Sequence, residues 1–576
     1  MTESKTETVL KSKDKSQTSE VASTGVSRRG LLFGAATVGA AAATGVVTKA
    51  ARADDYASDA GDLAYDGRRR ADIAFIKRIV NGKKQFKETL WLDDQLDNDD
   101  EQRYDDFIAS FYKTLPQNDF GEVNRRAYRR LRRACRRGDP ELFDRIPLST
   151  QADRRLANPQ GAFRFEAWGL DSHATRMPPA PTFRGAVTAA EMGEVYWQAI
   201  TRDVPFNQYG SDALVGAALN DLNNNFSATV GPKDGGSVTA GTLFRGETPG
   251  DLIGPYISQF LWLDVPWGPS TIVQRYNKPV AGVDYMITPA EWIDIQRGAN
   301  PANPLQFDPV PRYIFNNRSL GEYVHVDVLF QAYFNAALIM LSYGPDALDP
   351  SNPYLGNPSQ GGFTSFGGPY ILDLVTRAGN LSLSGAWFHK WRVHRRLRPE
   401  AYGGRVHFNS TGDRNYELSD DIMNSDAISR VFSDNGTGFL PMAFAEGSPT
   451  HPAYPAGHAT IAGACTTILK AVFNEDFILP TPVVSNDDGT ALDPYSGSLR
   501  AGDEFNKLAN NVSIGRDAAG VHYRTDGVDG LVVGEQQALA LLRESTALVN
   551  EDFNGFTLTL FDGSRVRIVN GDIYDA

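Results

Sequence analysis

Apolar residues recur at the 3.6-residue period of a helix in six stretches: Ala189 to Asp203, Pro289 to Gly298, Leu320 to Tyr343, Ile371 to Leu397, His458 to Phe473 and Gly530 to Val549. The stretch Leu320 to Tyr343 is apolar almost all round, which predicts a buried central helix. Glycine, proline and asparagine crowd the connections, above all Pro345 to Tyr370 and Pro480 to Gly502, which read as long loops. Near the end the period becomes two. Phe556 to Val569 alternates around Asp562-Gly563, the pattern of a β-hairpin. No repeat is evident. The patterns predict a mainly α protein with a central helix-bundle core and one small C-terminal hairpin.

Two segments ahead of the core read differently. Ser27-Arg28-Arg29-Gly30-Leu31-Leu32-Phe33 is a twin-arginine pattern, followed by an Ala/Gly/Val-rich stretch and the small-x-small site Ala51-Arg52-Ala53. Residues 1–53 are therefore expected to be a targeting segment for export in the folded state, to the cell envelope or beyond. Leu31 to Val47 carries too much Ala and Gly to predict stable membrane insertion. Residues 54–180 alternate charge blocks: Asp93-Asp94, Asp97 and Asp99-Asp100-Glu101 precede an arginine cluster from Arg125 to Arg137. This reads as a mostly helical region whose opposite charges pair within the fold or across subunits. The helical core would then occupy residues 181–549 and the hairpin tail 550–576.

With 41% hydrophobic and 22% charged residues, the 576-residue chain can bury a large core or two packed subdomains. Its 70 acidic against 57 basic residues disfavour nucleic acid or an anionic membrane surface as partners. An exported protein, expected as a homo-oligomer, fits better. Two cysteines make no disulfide framework; Cys465 lies in an apolar run and reads as a small buried hydrophobe, with pairing to Cys135 left open.

The chemistry concentrates in three segments: Lys390 to Pro399, His451 to His458, and Arg516 to His522. Five of the eight histidines fall within or beside them, so imidazole chemistry is expected there. Lys390, Arg398 and Arg516 offer cationic donors from several directions, Arg as a planar fork and Lys as a point charge, which suits phosphate or its mimic vanadate. On an ideal helix, Lys390 and Arg398 would stand about 80° apart, leaning toward one pocket. Pro455 and Gly457 make a loop, and His458 opens an apolar small-residue run, so the loop is expected to feed a helix N-terminus that attracts an anion. Asp526 lies four residues beyond His522 and would orient the imidazole if that stretch is helical.

Together these segments resemble the active-site pattern of the vanadium-dependent haloperoxidases and the related acid phosphatases: Lys followed by Arg-Pro, then Pro-Ser-Gly-His, then Arg with five residues to His. The Lys390-to-Arg398 spacing and the run Ser448-Pro449-Thr450-His451-Pro452-Ala453-Tyr454-Pro455 are similar to the algal bromoperoxidase branch. The resemblance implies a helix-bundle haloperoxidase-like fold. It also implies that His522 bonds vanadium and that His458 is the acid/base facing the opposite apical oxygen. Lys390, Arg398, Arg516 and the Gly457 backbone N–H would hold the oxygens, and His451 would be the further histidine near the cofactor. Trp387 matches a position that is Trp in some branches. His389 and His394 match no position and are expected to be structural or surface residues. One departure stands out: Ala456 occupies the place of the family serine. A lost hydrogen bond to a charged group weakens binding by about 1.5–3 kcal/mol.

By this resemblance the expected function is a secreted vanadate-dependent haloperoxidase that uses hydrogen peroxide to oxidise bromide, and chloride less well, before reaction with an organic acceptor. Lys390 would polarise the bound peroxide and His458 would handle protons. Phosphate would fit the same site. The rival readings are a phosphatase working through a phosphohistidine at His522, and a non-redox homologue that binds phosphate.

Overall fold

A computed structural model describes residues 67–89 and 94–576. The twin-arginine segment, its cleavage pattern and Asp93 lie outside the described residues. The chain divides into two units, Met1–Arg78 and Ile79–Ala576. Of the first, the described residues form the opening turns of a helix, Gly67–Glu88. Everything below belongs to the second.

Nine helices of that unit position the site: α1 (Arg125–Arg137), α2 (Ala186–Ile200), α3 (Asn317–Tyr323), α4 (Gln331–Ser342), α5 (Gly368–Phe388), α6 (Pro399–Ser410), α7 (Gly457–Val472), α8 (Ala501–Ala518) and α9 (Arg524–Leu548). At the centre is α7, packed by α5, α8 and α9 and buried at every residue except His458. Its approach to α9 is backbone against backbone. A Cβ on Gly463 would lie 2.0 Å from the Leu531 carbonyl oxygen, and one on Gly534 would lie 2.0 Å from that of Thr460. Only residues without a side chain permit such proximity. The Ala456 N–H, just before α7, donates to the Asp526 carbonyl at 2.7 Å, tying the entrance of one helix to the first turn of the other.

Two large hydrophobic cores result. One gathers α4, α5, α7, α8, α9 and the C-terminal sheet, the other α2, α6 and the loops around them. Ala453, Val521 and Tyr523 belong to the second core and Ala456 to the first, so the segments carrying the predicted site cross the seam.

Two of the predicted helices change, and two helices were not predicted. The expected single helix Leu320 to Tyr343 is two, α3 and α4, separated by Val324–Phe330 with Val326 and Val328 in solvent. That interval is rich in β-branched residues and carries His325 and Asp327, all weak helix formers, and polar partners elsewhere capture both side chains. The expected helix Ile371 to Leu397 ends sooner. After Phe388 it widens into a π-turn, His389–His394, and Arg395 takes a left-handed conformation with φ 44°. The Arg395 guanidinium donates back to the carbonyls of Trp391 and Arg392 and also to Glu101, which stops the helix. Lys390 and Arg398 therefore do not share an ideal helix; Arg398 caps α6, which Pro399 opens. Neither α6 nor α8 shows in the apolar pattern. Every residue of α8 is buried, many of them polar, so it has no amphipathic stripe to read.

The arginine cluster forms α1, capped at its start by the Asn124 side chain and at its end by Gly138 with φ 65°. It buries Tyr128, Leu131, Ala134 and Cys135. Charges do pair within the fold: Arg132 and Arg136 lie 3.7 and 3.8 Å from buried Glu101, which also accepts from Tyr128 at 2.6 Å and from Arg395 at 2.8 Å. Cys135 and Cys465 are both free and buried. The C-terminal hairpin is present, β1 (Phe556–Thr559) against β2 (Arg565–Val569), and a third strand, β3 (Asp572–Asp575), extends it through an Asn570-Gly571 turn with positive φ at both positions. Among the described residues no helix is long and apolar enough to cross a membrane.

The close crossing of α7 and α9 makes a prediction. Gly463→Ala or Gly534→Ala forces an overlap with backbone that no rotamer relieves, so each should lower the apparent Tm and the soluble yield sharply. Gly216→Ala, where no atom lies within 4 Å of the added Cβ, should leave both unchanged or raise the Tm. Thermal scans at one fixed rate compare the three variants.

Candidate active site

Lys390 stands in the π-turn after α5, fully buried, and its Nζ donates to the carbonyls of Pro452 and Ala453 at 2.7 and 2.8 Å. Arg398 reaches across the same loop: Nε donates to the His451 carbonyl at 2.9 Å, and Nη1 to the Val521 carbonyl at 2.6 Å. Nη1 also lies 2.9 Å from His522 Nε2. Arginine only donates, so His522 Nε2 presents a lone pair and Nδ1 carries the proton. That proton points to Asp526 Oδ2 at 2.8 Å. The imidazole is thus held in the one tautomer that turns a basic nitrogen into the pocket.

Asp526 is itself fixed from three sides. It accepts from the Tyr523 N–H at 3.1 Å and from Arg396 Nη1 at 2.8 Å, and Arg396 in turn donates to Glu191 and lies 4.0 Å over the Tyr523 ring. The predicted His522–Asp526 pair is real, yet its geometry differs from the expected one: His522 precedes α9, and Asp526 sits in the first turn of that helix.

The remaining predicted residues converge on the same seam. Gly457 is the first residue of α7, His458 the second, and Arg516 lies in the last turn of α8. Arg516 donates to the Val324 carbonyl, while its buried Nε has no partner among the described residues. His458 Nε2 lies 3.0 Å from Asp327 Oδ1. His451 packs 4.8 Å from Trp387, whose indole N–H donates to the Ala157 carbonyl. Of His389 and His394, which match no position of the pattern, the first is buried and the second half-buried. His389 lies 3.1 Å from the Thr175 hydroxyl, and His394 stacks on His389.

The charge arrangement carries the chemistry. Arg395, Arg396 and Arg524 are buried and each is paired with a carboxylate. Lys390, Arg398 and Arg516 are equally buried, and among the described residues none makes an ion pair; backbone carbonyls hold them instead. Burial pushes the pKa of all three down. The charges of Arg398 and Arg516 lower Lys390 further, and Arg516 lowers Arg398. Burial likewise lowers His522, His451 and His458, with the neighbouring cations adding to the effect. Three uncompensated buried cations are costly, and an anion between them relieves the cost. Cationic donors, an orphaned Arg516 Nε, a helix N-terminus and an imidazole lone pair fit a tetrahedral oxyanion able to bond nitrogen.

Sequence reasoning missed Asp327, which lies well outside the span from Trp387 to Asp526. The available signal was an acid in an otherwise apolar run. Arg396 was equally unmarked, being one arginine in a cluster.

A helical protein that surrounds one basic imidazole nitrogen with three unpaired cations is an oxyanion-binding protein. Residues 425–551 match a family model described as the VCPO second helical-bundle domain. The vanadium-dependent bromoperoxidase of Ascophyllum nodosum is 34% identical over 535 residues, covering 89% of this chain and 94% of that protein. That of Corallina pilulifera is 31% identical, covering 86% and 96%. The solved homohexameric structure of the second vanadate-dependent bromoperoxidase of A. nodosum superposes with a TM-score of 0.83 at 31% identity, over 88% of this chain and 93% of that one. The chain belongs to the vanadium-dependent bromoperoxidase family.

Ala456 proves to be the N-cap residue of α7, and it makes no side-chain cap. A serine there would have two uses, capping the helix and donating to an oxyanion. Ala456→Ser should raise the apparent Tm of the ligand-free protein, in keeping with a cap worth about 0.5–2 kcal/mol. It should also tighten vanadate binding roughly tenfold or more through a charge-assisted hydrogen bond. Thermal scans without vanadate and titration with it separate the two effects.

Proposed function

We propose that this protein is a vanadate-dependent haloperoxidase that uses hydrogen peroxide to oxidise bromide, and chloride less well, to an electrophilic halogen species that reacts with an organic acceptor. The observation that carries the reading is the His522 imidazole, its Nδ1 proton committed to Asp526 and its Nε2 lone pair directed among Lys390, Arg398 and Arg516. His522 would be the ligand to vanadium, the three cations and the Gly457 N–H would hold the oxygens, and phosphate would compete for the same cage. Bound vanadate supplies a Lewis acid of constant oxidation state that activates hydrogen peroxide toward halide.

The chain's own residues do the rest. Lys390, held by the Pro452 and Ala453 carbonyls, would donate to an oxygen of the bound group. His458 would exchange protons, and Asp327 holds its ring and balances its charge. Burial lowers the His458 pKa, which favours the neutral ring, while the Asp327 carboxylate acts in the opposite sense. His451, held by Arg398 and packed on Trp387, is placed to influence which halide enters.

Assembly as a homo-oligomer accords with the homohexameric neighbour, and export by the twin-arginine route accords with residues 27–53. The net charge of −13 supports neither nucleic acid nor an anionic membrane as a partner.

Removing the imidazole tests the core of this reading. His522→Ala should abolish peroxide-dependent bromination and tight vanadate retention together, with the far-UV circular dichroism unchanged; parent-like activity in that variant would refute the assignment. Phosphate should raise the apparent Kd for vanadate in the parent protein. For halide choice, His451→Phe should change the ratio of kcat/KM for bromide to that for chloride, and an unmoved ratio would remove His451 from selectivity.

A further inference from the structure

The interval Val324–Phe330 reaches the site twice. The Val324 carbonyl accepts from Arg516, and the Asp327 carboxylate meets His458. Apolar burial holds its two ends, Val324 in the core and Leu329 and Phe330 packed against it, whereas between them Val326 is 74% and Val328 56% exposed. A residue the proposed mechanism does not use supplies the tether. His325 Nε2 lies 2.7 Å from Glu446 Oε1 and its Nδ1 3.2 Å from Glu322 Oε2. Ionised carboxylates only accept, so both ring nitrogens carry protons and the ring is an imidazolium. Its face stacks on Phe444 at 3.8 Å and 11°.

The anchor is firm on the far side. The Glu446 carbonyl accepts from Lys113 at 3.0 Å and from Arg154 at 2.9 Å, and Glu322 belongs to α3. Phe444 also lies under the guanidinium of Arg516, 5.5 Å from its centroid. The charged groups around the ring are therefore Glu322, Glu446 with Lys113 and Arg154 behind it, Arg516 across Phe444, and Asp327 on the same loop.

We infer that His325 is a positioning residue for the proton-transfer pair: clamped as a cation between Glu322 and Glu446, it sets the Val324–Phe330 loop so that Asp327 holds His458 in register with Arg516. The inference rests on the haloperoxidase reading for its kinetic test and on the geometry alone for its structural one. The clamp also has a pH limit. Burial lowers the His325 pKa, but the two carboxylates more than offset this and raise it to about 9, while Glu446 falls to about 2. A pKa raised in the folded state means the clamp is complete at neutral pH and below, and is lost as pH rises through about 9.

The test compares the vanadate-loaded parent with His325→Gln, Glu446→Gln and His325→Lys. By hydrogen exchange, peptides covering residues 324–330 should exchange roughly tenfold faster in the Gln variants, while those covering 457–472 keep the parent rate. With bromide, kcat should fall roughly tenfold, about 1.4 kcal/mol of barrier, with KM and the vanadate Kd within about twofold. The parent should lose kcat as pH passes about 9, His325→Gln should lack that step, and His325→Lys should restore activity with the step moved upward, since lysine titrates near 10.4. Unchanged exchange, unchanged kcat, a vanadate Kd that weakens in parallel with kcat, or a step that stays near 9 in His325→Lys would each overturn the inference. A parent that oxidises no bromide would refute the haloperoxidase reading instead, and the exchange rates would still decide whether the clamp exists.

Discussion

The architecture depends on the contact between α7 and α9, where glycines at 463 and 534 let two helix backbones touch. A side chain at either position would hold the axes apart by ångströms. The distance matters because both helices begin at the site. Gly457 and His458 open α7, His522 immediately precedes α9, and the Ala456 N–H bonds to the Asp526 carbonyl. With the helices at this spacing, one helix N-terminus and the imidazole held at the other face a common space. Loop residues would not hold such positions to the tolerance that bonding an oxyanion requires.

Around that frame the arginines and lysines divide by partner. Arg395, Arg396 and Arg524 meet Glu101, Glu191, Asp526 and Glu194, so they join the fold's elements as satisfied ion pairs. Lys390, Arg398 and Arg516 rest on carbonyls and keep their charge uncancelled. Carbonyls orient a cation without neutralising it, which leaves its field for a ligand. Asp526 serves both groups, since one oxygen receives Arg396 and the other fixes the His522 tautomer. The same carboxylate thus joins the structural network to the reactive nitrogen.

Lys390, Arg398, His451, Gly457, His458, Arg516 and His522 stand out in the sequence by type and spacing. Asp327 and Arg396 did not, because their roles come from partners 131 and 130 residues away. Among the elements, α7 and the C-terminal hairpin were readable because one opens with a run of mostly small apolar residues and the other alternates cleanly. The break between α3 and α4 was not. An apolar pattern reports what is buried on average, and it missed two valines in solvent beside a histidine and an aspartate that polar partners had claimed.

What the sequence determined by itself was the chemical inventory and its order: three cations, a Gly-His at a helix start, an Arg and His six apart, and enough helical periodicity for a bundle. Tertiary structure decided which cations remain unpaired, which tautomer His522 adopts and which acid backs His458. The reason is physical. Residue type and local spacing are properties of short segments, whereas charge compensation and proton position depend on groups brought together by packing. Here the glycine crossing and the π-turn after Phe388 bring them together, and neither can be evaluated until the helices have met.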